Sequence, residues 1–397
     1  MATRRVIGAE HIEAARRRGR LTLEILPDDI LTPLAEETAA RLGLALVQGP
    51  IERAAVARSD GATSLRRALH RRSPKWVAPK PVPPRESRKL GKLALVGSGG
   101  VGATIGLLAA QAGLARDIAL IDITPGLAEA IALDLSHASG ISRSETRIQG
   151  STSFDLIEQA DVVVVTAGRP RTPGMTRTDL MAANRRVIRN VAEAIKTVTP
   201  LSIVIVVTNP LDEMTAEMLQ ATGFPRERIL GMAGTLDSSR FRQALAKAAG
   251  VTAADVEAIC LGAHGDEMVP IISRALIKDR PLDVFLSKDA IEEAKRDAVA
   301  GGGQVVALRK TGSATLAPAY ATIELIDHIR GARAGAVPVS VMLKGEFGLH
   351  GVVLGVPCEL GSRGLVAIDE LTLSEDERTA LSRAAQAVRA RLGGSGS

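Results

Sequence analysis

Residues 92–102 read Lys92-Leu93-Ala94-Leu95-Val96-Gly97-Ser98-Gly99-Gly100-Val101-Gly102. An aliphatic run leads into G-x-G-x-x-G and then into Ala103–Ala112, a stretch of helical composition. The first glycine suits a tight turn, the second leaves room for a pyrophosphate, and the third lets helix and strand pack closely. The helix N-terminus favours the phosphate charge. Outward from there, a second apolar run, Ile118–Asp122, ends in a carboxylate 20 residues after Gly102. A carboxylate at that place accepts both ribose hydroxyls of NAD and repels the 2′-phosphate of NADP. NAD is therefore the expected cofactor, and Gly97, Ser98, Gly99, Gly100, Val101, Gly102 and Asp122 its expected contacts.

Three more apolar runs follow, Asp161–Thr166, Ile203–Thr208 and Arg228–Met232, alternating with helical stretches. Near-continuous apolar strands are those buried on both faces of a sheet. Their alternation with helices indicates a parallel sheet covered on both sides. The expected fold is α/β: a Rossmann-type doubly wound parallel sheet over residues 90–235, an α+β catalytic lobe over residues 236–394, and a small N-terminal appendage.

The chain has 397 residues, 46% of them hydrophobic and only 2% aromatic, so the core must be aliphatic. Cys260 and Cys358 sit among apolar residues and match no metal spacing, which reads as buried thiols in a reducing compartment. No metal site is expected, since no His or Cys pair has ligand spacing. No apolar run reaches the roughly 18–20 residues that span a bilayer. The start has charges but no apolar core of a secretory signal. A cytoplasmic protein is expected. Residues 1–90 hold 18 Lys and Arg against 10 Asp and Glu, a net of +8, while the whole chain is +6, so the remainder is near −2. The basic character belongs to the N-terminal segment, where Trp76 is the one aromatic available for stacking on a nucleic acid. A solvated Arg-rich surface is the favoured reading over nucleic-acid binding.

Residues 1–73 read as a module of their own. Glu10–Arg18 has helical composition, and Leu21–Leu26 and Leu44–Val47 suit strands. Thr32-Pro33 is a helix start, with Thr as N-cap and Pro at the first helical position. Glu36 and Glu37 favour the first turn, and Gly43 ends the helix. Residues 74–89, with Pro74, Pro79, Pro81, Pro83 and Pro84, read as a semi-rigid linker. The tail from Gly393 to Ser397 reads as flexible.

Leu261-Gly262-Ala263-His264-Gly265-Asp266 carries the histidine that reads as a catalyst, on a tight turn after an apolar strand from Val256 to Leu261. Upstream, Asp237-Ser238-Ser239-Arg240 supplies a carboxylate and a guanidinium. A carboxylate can fix an imidazole's tautomer and raise its proton affinity. A guanidinium can grip a substrate carboxylate at two points. The loop from Ala167 to Arg177 has two prolines, two glycines and the cations Arg169, Arg171 and Arg177. It suits a lid over an anionic substrate. Asn184 follows on the next helix, and Val207-Thr208-Asn209-Pro210 ends a strand at the sheet edge where ligands bind. His11, His70, His137, His328 and His350 read as structural or surface residues.

From Lys92 to about Ala390 the chain resembles the lactate/malate dehydrogenase family. The matching motifs are Gly97–Gly102 with Asp122, Ala167–Arg177, Thr208-Asn209-Pro210, Gly234–Arg240, His264-Gly265-Asp266 and Lys310-Thr311-Gly312-Ser313-Ala314, in the family's order. The subgroup resembled is the malate dehydrogenases built like lactate dehydrogenase. The resemblance implies His264 as acid/base, Asp237 as its orienting partner, Arg240 as the grip on the carboxylate next to the reacting carbon, and Arg177 as polariser of the carbonyl. It implies Asn209 for substrate and cofactor, Asn184 and Val207 for NAD, and Ser313 on the pocket wall. Arg171 stands where lactate dehydrogenases resemble one another in a glutamine; an arginine there implies malate and oxaloacetate. Arg169 has no family role. The family also implies a homo-dimer or homo-tetramer. Lactate, or another 2-hydroxy acid, stays open as an alternative, and so does a non-catalytic NAD-binding adaptor recruited through its N-terminal arm.

Residues 1–89 lie outside that likeness. Val6-Ile7, Leu31-Thr32-Pro33-Leu34-Ala35 and Ala40-Arg41-Leu42-Gly43-Leu44 resemble N-terminal extensions of enzymes packaged in bacterial microcompartments. This implies a tether through residues 1–73 to shell or cargo, and a place inside such a compartment. A regulatory or oligomer-contact appendage is the plainer reading. Glu10, Glu13, Asp28, Asp29, Glu36 and Glu37 argue against a mitochondrial transit peptide.

Overall fold

The structure, a computed structural model, describes residues 6–17, 22–25, 29–48, 87–169, 177–310 and 312–393, with Arg17, Glu24, Val47, Gln48, Arg177 and Thr178 in backbone only. Arg171, Thr311, His70, Trp76, the proline-rich stretch up to Pro84 and the tail after Gly393 lie outside the described residues. The chain divides into two compact units, Met1–Pro74 and Lys75–Ser397.

In the first unit, β1 (Val6–Ile7), α1 (Ala9–Arg17) and β2 (Thr22–Ile25) are followed by β3 (Ile30–Leu31), α2 (Pro33–Leu42) and β4 (Ala45–Gln48). Each half is strand, helix, strand. β1 pairs parallel with β3, and β2 parallel with β4. Ile7, Ile12, Ala15, Ile25, Ala35, Ala39 and Leu44 form its small core. The capping read from the sequence is present: Thr32 accepts the Ala35 N–H at 3.3 Å, and Gly43 closes α2 in the left-handed conformation. The two-residue strands β1 and β3 were not anticipated, because so short a run carries no periodicity.

The second unit opens with β5 (Leu90–Val96), α3 (Gly100–Gln111), β6 (Ala115–Ile121), α4 (Leu127–Ser142) and β7 (Arg147–Ser151). Then come β8 (Val162–Val165), α5 (Arg177–Val198), β9 (Ile203–Val206), α6 (Leu211–Thr222), β10 (Ile229–Gly231) and α7 (Gly234–Ala249). These strands lie parallel in the order β7-β6-β5-β8-β9-β10. This is the doubly wound arrangement expected. β7 escaped the sequence reading because it lies at the sheet edge, partly exposed, with no apolar run to betray it.

The expected strand from Val256 to Leu261 is two strands. β11 (Val256–Glu257) joins a small sheet with β14 (Leu276–Ile277) and β15 (Arg280–Pro281), while β12 (Cys260–Gly262) joins the main sheet beside β13 (Met268–Pro270). Helices α8 (Lys288–Arg309) and α9 (Leu316–Ile329), strands β16 (Ala336–Lys344), β17 (His350–Gly361) and β18 (Gly364–Ile368), and α10 (Glu375–Gly393) complete the chain. β16 pairs antiparallel with β10, so β16, β17, β12 and β13 continue the parallel sheet.

Register places the site. Val96, Ile121, Val165, Val206 and Gly231 are aligned across the parallel strands. The next residues of each strand, including Gly97, Asp122, Thr166 and Val207, therefore emerge along one edge. The line continues from Gly231 to Ser340, to Gly355 and to Gly262, two residues before His264. Two aliphatic layers hold the sheet. Leu93, Leu95, Val162, Val164 and Ile205 point to one side, and Ala94, Val96, Val163, Val165 and Val206 to the other. Among the described residues, no helix is long and apolar enough to cross a membrane. Burial pushes both thiols, Cys260 and Cys358, up, which leaves them in the unreactive protonated form.

Candidate active site

His264, Asp237 and Arg240 meet, although 27 residues separate the first two. Asp237 lies in the first turn of α7, where the helix dipole favours a carboxylate. Its Oδ2 lies 2.9 Å from His264 Nδ1, and its Oδ1 accepts from Arg240 at 3.1 Å. With the Nδ1 side held by a carboxylate, that nitrogen carries the proton in the neutral ring, and Nε2 is left for a substrate. Burial alone would drive the imidazole toward neutrality. The charge of Asp237, the hydrogen bond to it and the charge of Asp212 outweigh burial and the repulsion from Arg240, and the imidazole holds its proton above the ordinary histidine range.

Two features of this site were not read from the sequence. The first is Gly301-Gly302 in the middle of α8, where glycine costs a helix about 1 kcal/mol each. A Cβ on Gly302 would lie 3.3 Å from the Arg240 guanidinium, and one on Gly301 3.5 Å from its side chain. Bare backbone gives the arginine its room. Three consecutive glycines inside a helical stretch were the available signal. The second is Asp212, which accepts the His264 backbone N–H at 2.8 Å.

The glycine turn fits a dinucleotide. Gly97 has φ +103°, and a Cβ there would lie 2.6 Å from the Ala167 nitrogen. A Cβ on Gly102 would overlap the Gly97 carbonyl oxygen at 1.9 Å. Gly99, the N-cap of α3, faces open space and has no side-chain cap, so the first helical N–H groups are available to a phosphate. Asp122 accepts the Ser98 N–H at 2.8 Å and the Thr124 N–H at 2.9 Å, which ties the turn to the end of β6. Its four lone-pair directions leave capacity for ribose hydroxyls. The Ser98 side chain is buried on the Ile121 carbonyl, Val101 is half-buried, and Gly100 faces Thr315 just before α9.

Asn184, which the family likeness assigns to NAD, has its side-chain amide engaged within the protein. It is buried, with Oδ1 accepting from the Arg169 N–H at 2.7 Å and Nδ2 donating to the Arg169 and Asn209 carbonyls. It ties Arg169 to Asn209, three residues after β9. Asn209 is exposed, Val207 is buried beside it, and Ser313 is exposed on the segment leading to α9. A cleft of about 1060 Å³ lined by Leu90, Asp161, Val162, Ile203 and Arg330 lies at the opposite ends of the strands and holds none of these residues.

Residues 91–231 match the family model for the NAD binding domain of lactate/malate dehydrogenase, and residues 234–393 match that for its alpha/beta C-terminal domain. The chain belongs to the lactate/malate dehydrogenase family. Malate dehydrogenase 1 of Anaeromyxobacter dehalogenans is 43% identical to this family member over 303 residues, covering 75% of this chain and 96% of the relative. Among solved structures, a malate dehydrogenase of Cryptosporidium parvum aligns with TM-score 0.74 at 35% identity, over 77% of this chain and 98% of that one. A lactate dehydrogenase of the same organism, complexed with lactic acid and NAD, aligns with TM-score 0.75 at 33% identity over 78% and 98%. The same fold is thus shared by proteins named for malate and for lactate.

Proposed function

We propose that this chain is an NAD-dependent malate dehydrogenase that interconverts (S)-malate and oxaloacetate. The observation that carries the acid/base half is the His264–Asp237–Arg240 arrangement. In reduction His264 gives its proton to the carbonyl oxygen; in oxidation it takes the hydroxyl proton. Asp237 keeps the imidazole oriented and stabilises its charged form. Arg240 grips the carboxylate beside the reacting carbon. Arg177 polarises the carbonyl as negative charge grows on its oxygen. Asn209 holds substrate and cofactor, with Ser313 on the wall. NAD held over Gly97–Gly102, with Asp122 at its ribose, supplies the hydride acceptor or donor.

Malate rather than lactate rests on Arg171, supported by relatives named malate dehydrogenase. A second guanidinium pairs with the distal carboxylate of oxaloacetate. Pyruvate would leave it unpaired, at about 3–5 kcal/mol, or roughly two to four powers of ten in rate. The test is NADH oxidation with oxaloacetate and then pyruvate, for the native chain and Arg171→Gln. Oxaloacetate is strongly preferred by the native chain, and the preference falls by orders of magnitude in the variant. Equal use of both substrates by the native chain, or of neither, refutes the reading; the second result favours an NAD-binding adaptor.

The cytoplasm is the proposed location and a homo-dimer or homo-tetramer the proposed state. In support, Leu107, Leu133, Ile141, Leu316 and Tyr320 are exposed on the neighbouring helices α3, α4 and α9. Large apolar side chains left exposed on adjacent helices favour association through that side of the unit. Residues 1–73 serve as a tether to the shell or cargo of a microcompartment. Deleting residues 1–88 leaves turnover intact and abolishes particle association; loss of turnover refutes the tether.

A further inference from the structure

Asp212 is the second residue of α6 and is 1% exposed. A buried carboxylate is costly unless its oxygens are satisfied. Its two hydrogen bonds run to segments far away in the chain. Oδ2 accepts the His264 N–H at 2.8 Å, and Oδ1 accepts the Ser340 hydroxyl at 2.7 Å. An acid that merely caps its helix would accept an N–H of its own first turn. Asp212 instead reaches to the turn after β12 and to the middle of β16. Ser340 is itself in register with Gly231 and, through Gly355, with Gly262.

The neighbouring residue closes a ring around the same turn. Glu213, also buried, pairs with Arg391 of α10, and Arg391 donates at 2.7 Å to Glu267, three residues after His264. The His264 turn is thus held on one side by Asp212 and on the other through Glu213, Arg391 and Glu267. We infer that Asp212 is a positioning residue for the acid/base: it fixes the backbone of His264 and, when ionised, adds a second negative charge that favours the imidazolium. This rests on the proposed role of His264.

The charged groups facing this pair are few. Asp237 and Arg240 of α7 and Asp212 of α6 face the imidazole; Glu213 and His264 face Asp212. Burial pushes Asp212 up to about 6, against the Ser340 and His264 hydrogen bonds, with the Glu213 charge adding to the rise. Above that value Asp212 is ionised, and its charge then adds to that of Asp237 beside the imidazole.

The test uses the full chain. Asp212→Asn keeps the shape and an acceptor for the His264 N–H but removes the charge. NADH binding stays unchanged, while the apparent pKa of the group that must be protonated for oxaloacetate reduction falls by about one unit. Asp212→Ala also frees the backbone and lowers kcat by about tenfold or more across the pH range. Ser340→Ala leaves the carboxylate but removes one of its donors, so it shifts the same profile in the same direction by less. An unmoved profile in both Asp212→Asn and Ser340→Ala, or an undiminished kcat in Asp212→Ala, overturns the inference. His264→Asn is assayed beside them. Its loss of turnover with an unmoved Asp212→Asn profile sinks only this inference, whereas retained turnover removes the reading on which it rests.

Discussion

Asp237→Asn separates the charge of the orienting carboxylate from its shape. The side chain is 3% exposed and touches both His264 Nδ1 at 2.9 Å and Arg240 at 3.1 Å. An amide fits the same space but offers either a donor or an acceptor to Nδ1, so the imidazole tautomer is no longer dictated. Burial, which Asp237 outweighs in the native site, is then opposed mainly by Asp212. Loss of a charged partner in a buried site moves a pKa by about two units, which is about 2.7 kcal/mol. Above both pKa values the protonated fraction of His264 falls about a hundredfold, and with it kcat/KM for oxaloacetate reduction. The assay is initial-rate NADH oxidation across the neutral pH range, with NADH binding measured in parallel. The expected result is a profile displaced to lower pH, with activity recovering as the medium is acidified. A loss that is the same at every pH, or one under tenfold with an unmoved profile, would refute the electrostatic reasoning and reduce Asp237 to a spacer.

Two further predictions follow from single contacts. Gly102→Ala places a methyl on the Gly97 carbonyl, so the turn must open; NADH binding weakens at least about tenfold and stability drops by about 1–3 kcal/mol, and a variant with native NADH titration and melting curves contradicts the close packing. Glu346, held by Arg226 at 2.8 Å, lies low at about 2 because that pairing and backbone hydrogen bonds outweigh burial. A depressed carboxylate stabilises the fold above its unfolded pKa and loses that contribution as the pH falls toward the folded value. Glu346→Gln thus costs about 1.5–3 kcal/mol near neutrality, and the deficit shrinks as the pH drops from about 4.5 toward about 2; denaturant unfolding at both ends checks it.

Sequence reading was strongest where neighbours along the chain decide the outcome. Thr32, Pro33 and Gly43 bracket α2 because caps act within one turn. The glycine turn between β5 and α3 is legible because each glycine answers a local demand for space. The valine-rich strands β8 and β9 announce burial on both faces. β7 was illegible because an edge strand needs no apolar run. The break after Glu257 was equally hidden, since β11 and β12 part to join different sheets. The family likeness assigns Asn184 to NAD; that its amide donates to the Arg169 and Asn209 carbonyls is visible only in the packing.

The chain by itself determined which cofactor turn is built, which strands are buried and which histidine has a partner of the right chemistry. Those follow from short-range sterics and the apolar pattern. Tertiary structure alone decided that Asp212, one ordinary acid in a helix's first turn, sits beneath His264, and that Gly301 and Gly302 make room for Arg240. Such pairings join residues dozens of positions apart. Their partners are named by strand register and sheet order, and those are set by the packing of the whole core rather than by any window of sequence.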